Sequence, residues 1–454
     1  MHWATPEERR KLGQARRKQV GRQQHDELRV KARPAAALEV LERAERGRIP
    51  ALLKLKHERM AESPFGYFRG AVAVMAADLS RLPNTGIGVQ ICGDAHVRNV
   101  GAFASPDGRL VFDLNDFDET ARGPFEWDLK RMAASLVVAG REAGQKESAA
   151  RGAAESCVER YCATMRMLAK MATMEAARWQ VHRMETAEPV EQALKKAERA
   201  TPLHLLEALT ETAGGGRRFK EDKPVLTRLT GAQAQRVLAA LGPYRATLEP
   251  ERQHLLALYR PVDVAFKVVG TGSVGLRDYC IYFEGNGPGD PLFLQVKEEV
   301  RSAYAAYGMT EAHGAHEAGH EGRRVVEGQR AMQVLSDPLL GWTGMGGRDY
   351  VVRQLNDHKG AVEMAELSGA GLGAFAEICG ELLARGHARS GDALAIAGYL
   401  GAGGGFAQAV SKWGAAYADQ TEKDWEALKK TMGPGRAGAS LKIAASAKGK
   451  EKAK

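Results

Sequence analysis

Two short segments place acidic residues among apolar ones, and they constrain the fold more than any other feature. The segments are ICGDAHVRNVGAF and LVFDLNDFDET, and their polar members include Asp94, His96, Asn99, Asp113, Asp116 and Asp118. A carboxylate without a partner is costly to bury. We therefore expect these acids either on solvated turns or around a metal ion.

The length and the cysteine pattern limit the class of protein. A chain of 454 residues exceeds what one hydrophobic core usually organises, which predicts two lobes. No apolar run reaches the length of a membrane span, and the polar, basic start has no apolar signal core. The five cysteines form no CxxC pair, which favours reduced thiols. We expect a cytoplasmic protein without a membrane span.

The basic charge lies at the two ends of the chain. The net charge is +9, but residues 1–34 carry +6 and residues 429–454 carry +7, so the chain between them is slightly acidic. Residues 431–454 lack the apolar content to fold and are predicted to be a disordered basic tail. We expect the tail to aid solubility, and weak contact with nucleic acid or an anionic surface is the alternative.

The pattern of apolar residues divides the chain into five regions. They are a helical N-terminal extension (1–60), a helical lobe with the acidic loops (61–261), an antiparallel sheet lobe (262–360), further helices (361–430) and the tail (431–454). GIGVQIC is predicted as a buried strand, with RLVFDLND as its hairpin partner across the turn SPDG. VDVAFKVV, LRDYCIYFE and PLFLQVK read as an antiparallel meander, and TAGGGRRFKEDKP reads as a loop.

A glycine-rich turn and a strand lysine lie in the predicted sheet lobe. The turn GTGSVG contributes Gly270, Thr271, Gly272, Ser273 and Gly275. Glycines let backbone N–H groups approach phosphates without obstruction by side chains. Lys297 ends the strand PLFLQVK, where it can pair phosphates, and we expect Glu327 of the following helix to hold it. Either feature alone is common in ordinary turns and strands, but their combination with the acids predicts a nucleotide site.

The spacing of the acids fits a magnesium site. Asn99 follows Asp94 by five residues, and further carboxylates come at the end of the next predicted strand. In this pattern one carboxylate orients a hydroxyl, while an amide oxygen and a second carboxylate hold Mg²⁺. Since Mg²⁺ keeps several waters, few protein ligands suffice.

Two resemblances follow from these motifs. Through GDAHVRN, NDFDET, GPFEWDLKRMAAS, VVGTGSVG, RVVEGQR, DYVVRQL, ARGHARSGD and YADQ, the sequence resembles a bacterial family catalogued as domain of unknown function 2252. It is also similar, at the motif level, to the kinase-like fold of aminoglycoside and choline phosphotransferases, whose catalytic loop reads HGDxxxxN. The second resemblance implies a two-lobed α+β fold and a phosphotransferase that uses ATP and Mg²⁺.

The resemblance also implies roles for individual residues. Asp94 would be the catalytic base, and Asn99 and Asp116 would hold the metal. Asp128, twelve residues after Asp116, would match the structural Asp of those kinases and brace the catalytic loop through backbone N–H groups. Asp113 and Asp118 would assist at the metal.

Three further side chains complete the candidate set. His96 lies in the catalytic loop, where we favour a histidine that anchors the loop over one that takes part in chemistry. Arg69 and Arg389 are candidates for contacts with phosphate or with the loop.

The order of the motifs differs from that of the phosphotransferases. Cys92 stands where their loop has His, and the glycine turn and Lys297 come after the acidic loops rather than before them. A circularly permuted kinase-like fold accounts for this order, because joining old termini and opening new ones preserves packing when the ends lie close together at the surface. The helix in ELLARGHARSGD would then be the one that precedes the catalytic loop in an unpermuted kinase.

Several alternatives stay open at the level of sequence. The acceptor is an unidentified small molecule or protein, and the fold could serve a nucleotide-binding regulator without transfer or a protein nucleotidylyltransferase. GDAH also resembles a block of metal-dependent phosphoesterases, but such an enzyme is less favoured, because no further DxH motif precedes it and no GNH[DE] motif follows it. The segment HGAHEAGH, with His313, His316 and His320, is predicted to be an exposed flexible loop rather than a transition-metal site.

Overall fold

The protein is a mixed helix and sheet structure. A computed structural model describes residues 4–30, 33, 35–180, 187–308, 319–355 and 358–432. The helices are α1 (Pro6–Gln19), α2 (Ala37–Ala44), α3 (Pro50–Ala61), α4 (Pro64–Gly70), α5 (Val72–Leu79), α6 (Glu126–Glu142), α7 (Glu147–Leu168), α8 (Thr173–Arg178), α9 (Glu188–Arg199), α10 (Pro202–Leu209), α11 (Gly231–Ala239), α12 (Leu241–Arg245), α13 (Pro250–Ala257), α14 (Glu321–Met332), α15 (Gly371–Ser390), α16 (Ala393–Leu400) and α17 (Gly404–Thr431). The strands are β1 (Gly88–Ile91), β2 (Val100–Ala104), β3 (Leu110–Leu114), β4 (Ala121–Pro124), β5 (Thr210–Ala213), β6 (Gly216–Phe219), β7 (Leu226–Leu229), β8 (Arg260–Lys267), β9 (Asp278–Glu284), β10 (Pro291–Glu299), β11 (Gly341–Met345), β12 (Arg348–Gln354) and β13 (Gly360–Ala361).

The largest sheet has six antiparallel strands in the order β11-β12-β10-β9-β8-β7. The predicted meander of β8, β9 and β10 is therefore present. Strand β10 is central and buried along its whole length, which explains its nearly continuous apolar run. Its register sets Lys297 opposite Asp278 of β9 and Val351 of β12.

The two faces of this sheet are covered by different elements. One face carries Ile281, Leu294 and Val352 and packs in one cluster with residues of α11 and α12. The other face carries Cys280 and Phe293 and packs against residues of α10 and β6. This alternation follows from the two-residue period of a strand, which sends neighbouring side chains to opposite faces.

The helices share a separate and larger core. Helices α6, α7, α15 and α17 supply nearly half of its buried residues. Helix α6 is buried over nearly its whole length, including Glu126, Asp128, Lys130 and Arg131, and therefore lies at the centre of the molecule. Helix α1 packs on α16, where Arg9 pairs with Asp392 at 2.7 Å. The N-terminal extension thus contacts helices from the other end of the chain.

The acidic loops are connected to the strands of two small sheets, and one predicted strand pairing is wrong. Strand β3 pairs with β2 across the turn SPDG, while β1 pairs with β4. GIGVQIC and RLVFDLND are therefore not hairpin partners. The strand VGAFA directly precedes the turn, and its small residues gave too weak a strand signal for the sequence to reveal it.

The region between residues 210 and 229 also differs from expectation. The predicted loop TAGGGRRFKEDKP contains the end of β5 and all of β6, which form a hairpin, and β7 then joins the large sheet. These strands have four residues each and few apolar positions, so their periodicity is weak. The large sheet therefore includes a strand before residue 262. The predicted tail lies almost entirely outside the described residues, which end at 432.

No single helix within the described ranges is long and apolar enough to cross a membrane. Helices α16 and α17 together meet the length and composition test, but they are bent by 88° at the break between them. All five cysteines are buried and free, as expected from their spacing.

A matched pair of glycines tests the contact between α7 and α15. A Cβ atom at Gly380 of α15 would overlap the carbonyl oxygen of Cys157 on α7, whereas a Cβ atom at Gly152 of α7 would meet nothing within 4 Å. Gly380→Ala should lower the free energy of unfolding by roughly 1–3 kcal/mol through overpacking. Gly152→Ala should raise it by about 0.5–1 kcal/mol, because alanine favours a helix interior. Urea denaturation measures both, and equal effects would contradict this account of the packing.

Candidate functional site

The loop from Cys92 to Asn99 follows β1 and ends in a short 3₁₀ turn (Val97–Asn99). Gly93 has φ +80°, and a Cβ atom there would overlap the backbone carbonyl of Glu119. Only glycine suits this position, because a side chain would be both strained and obstructed. The two acidic segments therefore touch through their backbones.

Asp128, in the first turn of α6, supports this loop from beneath. Its carboxylate accepts hydrogen bonds from the N–H groups of Cys92 at 2.8 Å and Gly93 at 3.0 Å. His387 of α15 lies 3.2 Å from the same carboxylate, and Tyr161 contacts the other ring nitrogen of His387 at 2.9 Å. The sequence predicted the backbone contacts of Asp128, but it gave no signal for His387 because the two residues lie 259 positions apart.

Asp94 is held by a buried arginine. Arg131, one turn after Asp128 on α6, donates from Nε to Asp94 Oδ1 at 2.6 Å. The Arg131 guanidinium is almost fully buried and lies 4.3 Å above the Phe68 ring. This pair fixes one carboxylate oxygen and leaves Oδ2 facing His96, whose Nε2 is 3.6 Å away. Sequence reasoning missed Arg131, although its spacing from Asp128 puts the two residues on one face of a helix.

His96 anchors the loop. Its Nδ1 accepts a hydrogen bond from the N–H of Arg98 at 3.1 Å, and its ring packs edge-on against Phe65. Burial lowers the pKa of His96 to about 3, so the ring is neutral near pH 7. These contacts match the anchoring role that the sequence favoured.

Asn99 and Asp116 belong to adjoining backbone segments. The Asn99 side chain donates from Nδ2 to the carbonyl of Asp94 at 3.0 Å, which orients its Oδ1. The carbonyl of Asn99 accepts from the N–H of Asn115 at 3.1 Å, next to Asp116. Asp116 Oδ1 accepts from the N–H of Asp118 at 3.2 Å. The two predicted metal ligands are thus supplied by loops in contact.

Lys297 and Asp118 form an ion pair between the large sheet and the acidic loop. The Lys297 side chain is only 2% exposed. Burial by itself would lower the pKa of Lys297, but Asp118 and Asp116 outweigh it and raise the pKa. The ammonium is therefore charged. Two regions about 180 residues apart in the chain meet at this pair.

Three carboxylates, one of them in this pair, each retain a buried oxygen without a hydrogen-bond partner among the described residues. The atoms are Asp118 Oδ1, Asp278 Oδ1 and Glu299 Oε1. Burial raises the pKa of Asp278 to about 7, and burial together with Asp118 raises the pKa of Glu299 well above its usual value. The sequence did not single out Asp278 or Glu299. Asp278 lies directly opposite Lys297 on the neighbouring strand, and Glu299 lies two residues beyond Lys297 on the same strand. These positions were the available signal.

Two predicted members of the site lie elsewhere. Asp113 does not join Asn99 and Asp116, the predicted metal ligands, because it is buried in an ion pair with Arg385 of α15. Glu327 does not hold Lys297, since its carboxylate accepts a hydrogen bond from Arg323 at 2.6 Å on the same helix. Asp113 lies on a strand, and the alternation of side chains turns it away from the loop that carries Asp116.

Arg389 also lies away from the glycine turn. Its guanidinium donates to the carbonyls of Ala177 and, at 3.5 Å, Arg330. It therefore contacts backbone near α8 and α14 rather than the catalytic loop.

The glycine turn is tied to the segment before and within α3. Arg48 donates to the carbonyls of Gly272 at 2.9 Å and Val274 at 2.7 Å. The N–H of Ile49 donates to the carbonyl of Gly275 at 2.7 Å. Arg59 similarly donates to Val269, the residue before the turn, at 2.7 Å.

This tethering decides which backbone groups of the turn are available. With the carbonyls engaged, the N–H groups of Gly270, Gly272 and Gly275 donate to no acceptor in the described part of the chain. Thr271 and Ser273 form the short 3₁₀ turn between them (Thr271–Ser273). N–H groups without acceptors in a tight turn form a concavity suited to anions.

A small, partly open cavity adjoins the acidic loop. Its volume is about 40 Å³, and it is lined by Phe103, Ala104, Asn115, Gln329, Gln333, Asp337, Arg353, Gln354 and Lys359. Burial and the nearby Arg353 lower the pKa of Lys359 to about 7, while Asp337 and Asp116 act in the opposite direction. The cavity therefore lies close enough to Asp116 for the charge of Asp116 to act on Lys359.

The described residues include no group of three or more His, Cys, Asp or Glu side chains placed to hold a metal ion. The donor set of Asn99 and Asp116 still suits Mg²⁺, which takes hard oxygen ligands and keeps several waters. His313 and His316 lie outside the described residues, and His320 caps α14 by accepting from the N–H of Arg323 at 3.2 Å.

Comparison with known proteins gives a family but no reaction. The family model described as "Uncharacterized protein conserved in bacteria (DUF2252)" matches residues 48–431. The chain therefore belongs to this family. No curated protein and no solved structure matches the chain.

Removal of Asp128 tests the support of the catalytic loop. Asp128→Ala should lower the free energy of unfolding by roughly 3–5 kcal/mol, because two buried N–H groups and His387 lose their acceptor. Asp26→Ala is the control, since Asp26 pairs with the exposed Lys412, and it should change stability by less than about 1 kcal/mol. Equal losses in urea denaturation would contradict a special role for Asp128.

Proposed function

We propose that this protein transfers the γ-phosphoryl group of ATP to a hydroxyl of an acceptor, with Mg²⁺ as cofactor, on a two-lobed kinase-like fold with circularly permuted motif order. The observation that carries the proposal is the Lys297–Asp118 ion pair, which joins β10 to the acidic loop; β10 is paired with β9, the strand that follows the glycine turn. A nucleotide cleft requires this meeting of a phosphate-pairing lysine and metal-binding carboxylates.

The path of the chain supports the permuted order. Helix α15 ends beside β1, where the N–H of Gln90 donates to Ser390 Oγ at 3.2 Å. In an unpermuted kinase the chain would pass directly from such a helix into the catalytic loop. Here the same neighbours come from residues 300 positions apart.

The chain's own groups suggest the following division of roles. Lys297 pairs the phosphates, and the N–H groups of the glycine turn cover them. Asn99 and Asp116 would hold Mg²⁺, which neutralises phosphate charge when bound. The acceptor oxygen forms a bond to the γ-phosphorus as the bond to the β-phosphate oxygen breaks, so ADP leaves. Asp94 Oδ2 accepts the hydroxyl proton, while Arg131 holds the other oxygen in place.

The unpaired carboxylate oxygens are consistent with this proposal. Asp118 Oδ1 lies beside Lys297 and has no donor within the described ranges, which favours a site completed by a ligand, ion or water. The basic ends of the chain remain predicted weak contacts to nucleic acid or anionic surfaces, and the cytoplasmic location likewise remains a prediction.

Binding of nucleotide is tested first. Millimolar Mg·ATP should raise the melting temperature of the wild type, because a ligand at 100 times its Kd stabilises the folded state by about 2.7 kcal/mol. Lys297→Ala and Asp116→Ala should abolish the shift, whereas Lys412→Ala at the surface should keep it. Circular dichroism establishes that each variant is folded, and the absence of any shift in the wild type would reject the proposal.

Catalysis is tested separately with Asp94→Asn. This variant should bind Mg·ATP as the wild type does and lose about 10²–10⁴-fold in turnover, because the amide cannot accept the hydroxyl proton. Mass spectrometry of a bacterial extract incubated with ATP identifies an acceptor that gains one phosphate. Gain of a nucleoside monophosphate would instead indicate nucleotidyl transfer, and equal turnover in both proteins would remove Asp94 from the mechanism.

A further inference from the structure

Arg69 lies between the glycine turn and the catalytic loop. It lies in the last turn of α4, and a Cβ atom at Gly270 would lie 3.5 Å from Arg69 Nη2. A Cβ atom at Gly272 would lie 3.6 Å from the Arg69 carbonyl oxygen. The arginine is therefore in direct contact with the turn.

The segment that carries Arg69 is also close to Asp94, because Arg131 donates to Asp94 Oδ1 at 2.6 Å and to the carbonyl of Phe68, the residue before Arg69, at 3.2 Å. Burial and the neighbouring Arg98 lower the pKa of Arg69, while Asp94 and Asp116 act in the opposite direction. An arginine keeps its proton in proteins, so the group is a partly buried cation beside the turn, with its Nε atom fully buried.

This cation lacks a partner among the described residues. Its Nε is buried without a hydrogen-bond acceptor, and no carboxylate lies within ion-pair distance of it in that part of the chain. Buried charges in proteins are normally paired, because an isolated one is costly. Arg33 of the same protein shows the usual arrangement, with Asp78 and Asp424 on its guanidinium.

The available donors of the turn point to the kind of partner that is missing. Arg48 and Ile49 occupy loop carbonyls, and the N–H groups of Gly270 and Gly272 have no acceptor in the part of the chain that the structure describes. A guanidinium and backbone N–H groups at one place form a site for a tetrahedral oxyanion, to which arginine can donate two parallel hydrogen bonds.

We propose that Arg69, with the N–H groups of Gly270 and Gly272, binds a phosphoryl group next to Asp94. The inference rests on the proposed function and adds the residues that recognise a phosphoryl group. Because Asp94 marks the place where the acceptor hydroxyl reacts, the phosphoryl group at Arg69 is either the terminal one of the nucleotide or one carried by the acceptor. Lys297 serves the inner phosphates from the other side, through its pair with Asp118.

Calorimetric titrations with two nucleotides distinguish the two sources. If the phosphoryl group belongs to the nucleotide, the wild type binds Mg·ATP more tightly than Mg·ADP, and Arg69→Ala weakens Mg·ATP by about 10- to 100-fold while leaving Mg·ADP within about twofold. Arg69→Lys should recover part of the loss, because it keeps the charge without the fork. If the group belongs to the acceptor, inorganic phosphate binds the wild type saturated with Mg·ATP and does not bind Arg69→Ala.

The control variant is Arg46→Ala, which removes the same charge from an exposed side chain close to Arg48 in the sequence. It should leave every affinity within about twofold. Thermal unfolding without ligand establishes that Arg69→Ala is folded.

Two results would overturn the proposal. One is an equal loss of Mg·ATP and Mg·ADP affinity in Arg69→Ala, which would mean that the arginine only shapes the turn. The other is that Arg69→Ala changes the affinity for none of the ligands. If the wild type binds no nucleotide, the phosphotransferase proposal fails by itself. The role of Arg69 is then tested with inorganic tripolyphosphate. Binding of tripolyphosphate that is lost in Arg69→Ala supports the anion site, and binding that does not depend on Arg69, or no binding at all, rejects it.

Discussion

The arrangement of the candidate site depends on one buried ion pair between Lys297 and Asp118. A buried pair is stable only when further hydrogen bonds satisfy its surroundings. Here Arg324 of α14 donates to the carbonyls of Asp118 at 2.9 Å and Thr120 at 2.7 Å, so the acidic loop is held by backbone contacts as well as by charge. Ser302, just after β10, donates to the carbonyl of Glu119 at 2.8 Å. The large sheet and the acidic loop are thus fixed together at several points.

A second constraint is that both loops of the site are shaped by their surroundings. The catalytic loop is supported by Asp128 and Arg131, which lie one turn apart on the buried helix α6. The glycine turn is fixed through its carbonyls by residues next to and within α3. Because rigid elements hold both loops, their polar groups keep fixed positions relative to one another. Such preorganisation is what the proposed phosphoryl transfer would require, since proteins catalyse that reaction mainly by positioning and electrostatics.

The sequence revealed those parts of the site that follow a local spacing. Asp94, Asn99, Asp116 and Asp128 could be selected because each lies at a fixed distance along the chain from the next. Lys297 could be selected from its place on an apolar strand. The ion-pair partner of Lys297 could not be selected, because a choice between Glu327 and Asp118 depends on how α14 and the acidic loop pack. Arg385 and His387 were missed for the same reason, since their partners Asp113 and Asp128 are more than 250 residues away.

The sequence by itself determined the meander of β8 to β10, the buried helix α6, and the family to which the chain belongs. Period-two and helical patterns are properties of short segments, so these elements can be read locally. The tertiary structure alone decided that β3 pairs with β2, that Asp113 turns toward Arg385, and that Arg69 contacts the glycine turn without a counter-ion among the residues that the structure describes. Those outcomes depend on long-range packing and on the cost of leaving buried charges unpaired, which no local pattern records.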